Sequence, residues 1–162
     1  MTTQQGDLSL LQEPVAQQLL ESRIPARLAY TWEDGSPRVV PIGFHWNGTE
    51  LVFGTPVDAP KLKVLRDGVP VAVTIDSESM PCHVLLLRGN VQVDVVDGIA
   101  PEYAMMVRRT QGDEAGQAWL DQMAVICPQM ARIRVRPTWV GLLDFETRFP
   151  SALERAMQRA QA

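Results

Sequence analysis

The chain has 162 residues, of which 46% are hydrophobic and 21% charged, and its formal net charge is −4. That length is enough for one domain with its own core, and the acidic balance gives no general support for nucleic-acid binding. No apolar run approaches the roughly 20 residues that cross a bilayer. The start "MTTQQGDLSLLQEP" lacks a basic segment followed by an apolar one, so no membrane association and a cytoplasmic location are expected.

In chain order, "EPVAQQLLES" (13–22) reads as a short helix that packs Val15, Leu19 and Leu20. Residues 25–55 give three strand-like runs parted by "EDGSP" and "NG", both hairpin signals, and read as an antiparallel meander. From Asp58 to Asp67 a helix is expected, with Asp58 as cap, Pro60 in the first turn and Leu62 with Leu65 as its buried edge. "PVAVTID" (70–76) returns as a strand. In "HVLLLRGNVQVDVV" (83–96), Leu85, Leu87, Val91, Val93 and Val95 fall on one face, and Arg88, Asn90, Gln92 and Asp94 on the other. Gly89, mid-strand, marks a bulge or a close backbone approach.

Residues 99–126 read as two helices broken near "QGDEAG", and 130–146 as a last long strand. Its "RIRVR" sets Arg132, Arg134 and Arg136 opposite Ile133 and Val135. That basic row is either solvated or paired with carboxylates across a dimer interface. "PSALERAMQRAQ" (150–161) reads as a terminal helix with Ser151 and Glu154 forming a capping box. The whole is an α+β arrangement in one domain over 1–162: an antiparallel β-barrel, strands about 25–96 and 130–146, with peripheral helices.

Few residues announce chemistry. Lys61 and Lys63 are the only lysines, against thirteen arginines, and they follow a Gly-Thr-Pro turn. A compact ammonium near a helix start suits an anion such as a terminal phosphate, although two solvated lysines are the plainer reading. Arg38 opens "RVVPIGFHW", where Pro41 and Gly43 suit an edge strand that lets a flat ligand approach the backbone. Arg88 either reaches a ligand or makes a salt bridge. Trp139, Phe145 and Phe149 are either core aromatics, the plainer reading, or interface or ligand-edge aromatics. Phosphate-loop and dinucleotide glycine motifs, GxSxG and HExxH are all absent. His45 and His83 lack metal-ligand spacing, and Cys82 and Cys127 lack CxxC spacing, so no metal site is expected and a reducing compartment is.

The ordered set "RVVPIGFHWNGTELVFGT", "APKLKVLRD", "VAVTID" and "LLLRGNVQV" resembles the pyridoxamine 5′-phosphate oxidase-like, FMN-binding split β-barrel family over roughly residues 15–146. The resemblance implies a six-stranded barrel and a homodimer with the cofactor in a groove at the subunit interface. A branch on the same scaffold uses the deazaflavin F420. Carried over by position, Arg38, Val39, Val40 and Pro41 match the strand along the flavin. Gly54 and Thr55 match the strand end near the phosphate, Lys61 matches the lysine that grips it with Lys63 assisting, and Arg88 is a weaker match.

Departures are equally informative. Ala59-Pro60-Lys61 stands where the oxidase usually has Ser-Arg-Lys, and Gly43 stands where its strand ends in a basic residue. "DFETRFPSALERAMQRA" replaces its carboxy-terminal substrate signature, so pyridoxamine phosphate oxidation itself is not expected. The expectation is an FMN-binding oxidoreductase of unknown small-molecule substrate, with no catalytic residue identified. The alternatives are an F420-dependent reductase, a non-catalytic flavin-binding module and, from another class, a haem-binding barrel using His45 or His83.

Overall fold

Alternation along each strand decides which side of the sheet carries the core. In the computed structural model, which describes residues 4–161, seven antiparallel strands form one sheet in the order β2-β1-β5-β6-β7-β4-β3. They are β1 (Ala26–Thr31), β2 (Pro37–Ile42), β3 (His45–Trp46), β4 (Leu51–Pro56), β5 (Pro70–Asp76), β6 (Val84–Asp97) and β7 (Gln129–Leu143). Opposed residues in antiparallel strands share a face. The row Val40–Leu28–Val73–Leu87–Val140 therefore points inward, and its last four members are buried.

The inner face is closed by the segment before β1. A 3-10 turn, Leu8–Gln12, is capped by Asp7, whose carboxylate accepts from the Ser9 N–H at 2.8 Å. It leads through Pro14 into α1 (Pro14–Leu20), and Leu10, Leu11, Ala16, Leu19 and Leu20 fill the space between the strands. Gln5 secures this plug: its amide donates to the Leu142 carbonyl at 2.7 Å, and its side-chain oxygen accepts from the Leu142 N–H at 2.8 Å.

The sheet is not closed by hydrogen bonds, yet its edges meet at one corner. β2 and β3 lie at opposite edges, but only Gly43 and Phe44 separate them, a reach of about 11 Å from Ile42 to His45 at full extension. The sheet must curl to satisfy that link. This corrects the expected meander: the two hairpins form, but their facing strands part at the buried Phe44 rather than pairing. The expected count of six strands also becomes seven, because the two residues of β3 pair with β4.

Turn chemistry follows the residues. Gly35 and Gly48 take φ of +82° and +101° in the two hairpin turns, where a side chain would be strained. The Asn47 side chain accepts from the Thr49 and Glu50 N–H groups at 2.9 and 2.8 Å. At Gly89 the register shifts, and the opposite strand spends the extra residue, Thr138, beside Pro137, which has no N–H to give the ladder. A Cβ on Gly89 would run into the Arg136 carbonyl, so the expected bulge and the expected close approach coincide.

Several local expectations change. The helix expected over Asp58–Asp67 shrinks to a 3-10 turn, Pro60–Lys63, with Ala59 rather than Asp58 at its cap. The chain then leaves the helical path to bury Leu65, and the Asp67 carboxylate holds the Val93 N–H at 2.8 Å. Val95, expected on the same face as Leu85, Leu87 and Val91, is 55% exposed near the end of β6. α2 (Pro101–Gln111) and α3 (Asp113–Ile126) break at Gly112, φ +84°, as the sequence suggested. In α4 (Ser151–Gln161), Ser151 lies inside the helix rather than capping it, and Glu154 accepts from the Phe149 N–H at 3.3 Å. No helix among the described residues is long and apolar enough to cross a membrane.

Candidate functional site

The outer face of the sheet has two unlike halves. Over β3, β4 and β7 it is covered by the α2–α3 hairpin, and glycines make room for it. A Cβ on Gly54 would stand 2.8 Å from both Tyr103 Cβ and Met130 Sδ, and Met106 fills the space beside Gly43. Gly54, carried over as a cofactor position, thus has its side-chain space taken by the protein's own helix.

Beneath that hairpin two arginines of the row, Arg132 and Arg134, are consumed in ion pairs, while Arg136 is exposed. Arg132 donates to Asp94 at 2.9 Å and to both oxygens of Glu102, and Arg134 reaches Asp94 at 3.1 Å and Glu50 at 3.6 Å. Of the two readings of the row, solvated or paired across an interface, neither holds for Arg132 and Arg134, whose carboxylate partners lie within the chain. The Arg132 hydrogen bonds hold Glu102 below the usual carboxylate range against the opposing effect of burial. Arg109 of α2 donates to the carbonyls of Ser22 and Phe44, which ties the helix to the barrel corner. His45 lies beside Arg109 and Glu102. Burial first, then the Arg109 charge, pushes its pKa down, and its Nδ1 is buried without a hydrogen-bond partner.

Over β2, β1, β5 and β6 the outer face is bare. The row Val39–Ala29–Ala72–Arg88–Trp139 crosses all five strands from β2 to β7. An open groove of about 380 Å³ lies along it, with Ala29, Thr31 and Ala72 as a floor of short side chains between Pro37 and Arg88. The Arg88 guanidinium lies 4.0 Å from the Trp139 ring centroid. Trp139 in turn rests against Gly6 and Gly141, where any Cβ would strike the indole. Among the described residues the Arg88 guanidinium has no carboxylate partner, so its charge faces the groove.

The carried-over residues therefore divide. Val39, 63% exposed, and Pro41 share the outer face with Arg88. Val40 packs toward the core, and Arg38 lies on the other face over the Trp32 ring, 5.1 Å from its centroid. Thr55 is 4% exposed at the end of β4. Lys61 is half-buried in the following 3-10 turn, while Lys63 is exposed. Desolvation pushes the Lys61 ammonium pKa down, and among the described residues its side chain has neither an ion pair nor a hydrogen bond. Among those residues no group of three His, Cys, Asp or Glu side chains is placed to hold a metal.

Ala29, Thr31 and Ala72 were not singled out from the sequence as groove residues, whereas Trp139 was, as one of two readings. Alanines and threonines carry no chemical signal, and their row exists only once the register of four strand pairs is known.

No protein-family model and no curated protein matches the sequence. Solved structures do. An F420 reductase is 27% identical over 77% of this chain and 94% of its own, with a TM-score of 0.56. An FAD- and heme-binding protein from Mycobacterium smegmatis is 21% identical over 87% of this chain and 75% of its own, with a TM-score of 0.54. A protein named for pyridoxamine 5′-phosphate oxidase, from Listeria innocua, is 18% identical over 79% of this chain and 94% of its own, with a TM-score of 0.55. By these likenesses the chain has the fold of the pyridoxamine 5′-phosphate oxidase-like flavin and deazaflavin oxidoreductases.

Proposed function

We propose that this chain is an oxidoreductase that binds a phosphate-bearing flavin-type cofactor, FMN in the first reading, and works on a small-molecule substrate as a homodimer with the cofactor groove at its interface. Lys61 carries the proposal. A half-buried ammonium without a counter-charge is costly, and the fold keeps one at the turn where the family resemblance puts the cofactor phosphate. An incoming phosphate would supply the missing charge and restore the ammonium's ordinary pKa.

The remaining residues fit the same group. The Ala29, Thr31 and Ala72 floor is flat enough for a ring system to lie close, Pro37 borders it on β2, and Val39 and Pro41 share its face of that strand. Arg88, held by Trp139, offers a guanidinium to a carbonyl or phosphate oxygen. When bound, the cofactor supplies hydride chemistry at its central ring. The protein's part is to bind, orient and exclude water. No side chain in the groove is an evident general acid, so proton delivery falls to water or to a substrate group.

A second reading, F420 in place of FMN, is favoured by the 27% identity with an F420 reductase. The loss of the Ser-Arg pair before Lys61 also leaves a thinner phosphate grip than the oxidase's own. Parallel titrations with FMN and F420 distinguish the two. A cofactor retained through desalting, and released in Lys61→Ala, supports the proposal and names its chemistry. Retention of neither would sink it.

A further inference from the structure

We propose that the outer groove continues past Arg88 into a second anion subsite at Arg136, and that the two arginines take a small diacid as substrate, one acid group to each. Two open depressions, of about 380 and 250 Å³, adjoin on this face and share Asn90 and Thr138 in their linings. Arg88 lines the first and Arg136 the second. Asn90 pairs with Arg136 across β6 and β7. Arg88, two residues before Asn90, is therefore diagonal to Arg136, at about 7–8 Å between their backbones.

The bulge opposite Gly89 assembles this arrangement. Three steps separate Arg136 from Trp139, and a regular strand would send one of the two inward. The extra residue, Thr138, absorbs a step. Arg136 and Thr138 are exposed on the outer face, Trp139 follows them there, and Pro137 and Val140 are buried. Trp139 can then carry the Arg88 guanidinium, 4.0 Å from its ring centroid, on the same face as Arg136. Bulges that re-aim a side chain in this way are common beside binding sites.

Both cations are uncommitted. Among the described residues neither guanidinium makes an ion pair or a hydrogen bond. The one carboxylate in the linings, that of Glu50, is 16% exposed and pairs with Arg134 at 3.6 Å. Two neighbouring cations without a counter-charge repel each other, and an anion at each relieves that repulsion. The guanidinium fork matches the paired oxygens of a carboxylate or phosphate. The shared residues, Asn90 and Thr138, are neutral, so charge is called for at the two ends of the ligand and not in its middle. This deepens the oxidoreductase reading and rests on it for the ligand's role as substrate, though not for its binding. With the cofactor ring over the alanine floor, Arg88 stands where the two ligands adjoin, and its five N–H donors serve both.

Titration calorimetry of the full-length protein, with whichever of FMN or F420 it retains, tests this against malonate, succinate, glutarate and adipate at constant ionic strength. Two fixed cations act as a ruler, so one chain length should bind tightest, and about tenfold or more tighter than its monoacid counterpart. Arg136→Gln and Arg88→Gln, both at exposed positions, should each abolish that optimum and weaken the diacid about tenfold or more. Tighter binding by the phosphonate counterpart of the best diacid would support the same site and assign one end to a phosphate-type group. A chain that retains no cofactor yet keeps the length optimum would uphold the diacid site and sink the oxidoreductase reading. Retained cofactor with no saturable diacid binding, no length optimum, or an optimum unchanged in Arg136→Gln would overturn this inference alone.

Discussion

The two halves of the outer face belong to one sheet yet use their cations in opposite ways. Under the α2–α3 hairpin, Arg132 and Arg134 are spent on Asp94, Glu102 and Glu50, and Gly43 and Gly54 are small because α2 side chains press on them. On the bare half, Arg88 meets only an indole, and the residues around it are short. Arginine type alone therefore says little about function in this chain. What separates a structural cation from a ligand-seeking one is whether a carboxylate is placed opposite it, and that is set by register.

The sharpest way to break the comparison is at its seam. Gly89 sits where β6 and β7 join the two halves, and Gly89→Ala forces a Cβ into a backbone carbonyl that cannot turn aside. A loss of about 3 kcal/mol or more is expected, measured by urea unfolding. A loss below about 1 kcal/mol would mean the strands approach less closely.

Next comes the covered half. Arg132→Met leaves Glu102 without its partner under α2, and Asp94 with Arg134 alone, and should cost about 1–3 kcal/mol in the same assay. His45 adds a pH dependence there. Its folded-state pKa lies below the ordinary 6.5, so below that pH the unfolded chain takes up a proton that the folded chain resists, and stability falls as pH falls. His45→Gln should make the decline in stability between pH 7.5 and 5.5 shallower. An unchanged slope would place the titration elsewhere.

The bare half should respond least in stability. Arg88→Ala removes no ion pair and is expected to change unfolding free energy by less than about 0.5 kcal/mol while altering Trp139 fluorescence and weakening cofactor retention. Were it to destabilise like Arg132→Met, the division into structural and ligand-seeking cations would be wrong.

Much of this contrast was out of reach of the sequence, and the reasons are physical. Alternation in 83–96 placed Leu85, Leu87 and Val91 inward and Arg88 outward, because period-two patterning is a local property. It could not say that Val95 lies past the end of the core, which depends on where α1 and the Leu8–Gln12 turn sit. That turn, with Leu10 wholly buried, passed unread because a five-residue 3-10 segment has too short a period to signal itself. The family resemblance carried over Gly54, Thr55 and Lys61, and took Arg38–Pro41 as one contact strip. A strand turns alternate residues to opposite faces, and only Val39 and Pro41 share the groove side.

The central claim is that Lys61 awaits a cofactor phosphate. It is tested most directly by the absorption spectrum of purified protein after FMN or F420 is added and unbound cofactor is removed by desalting, with wild type and Lys61→Ala compared side by side. The account predicts retained cofactor absorbance in wild type, largely lost in the variant, with both proteins equally folded. Equal retention by both, or none by either, would contradict it.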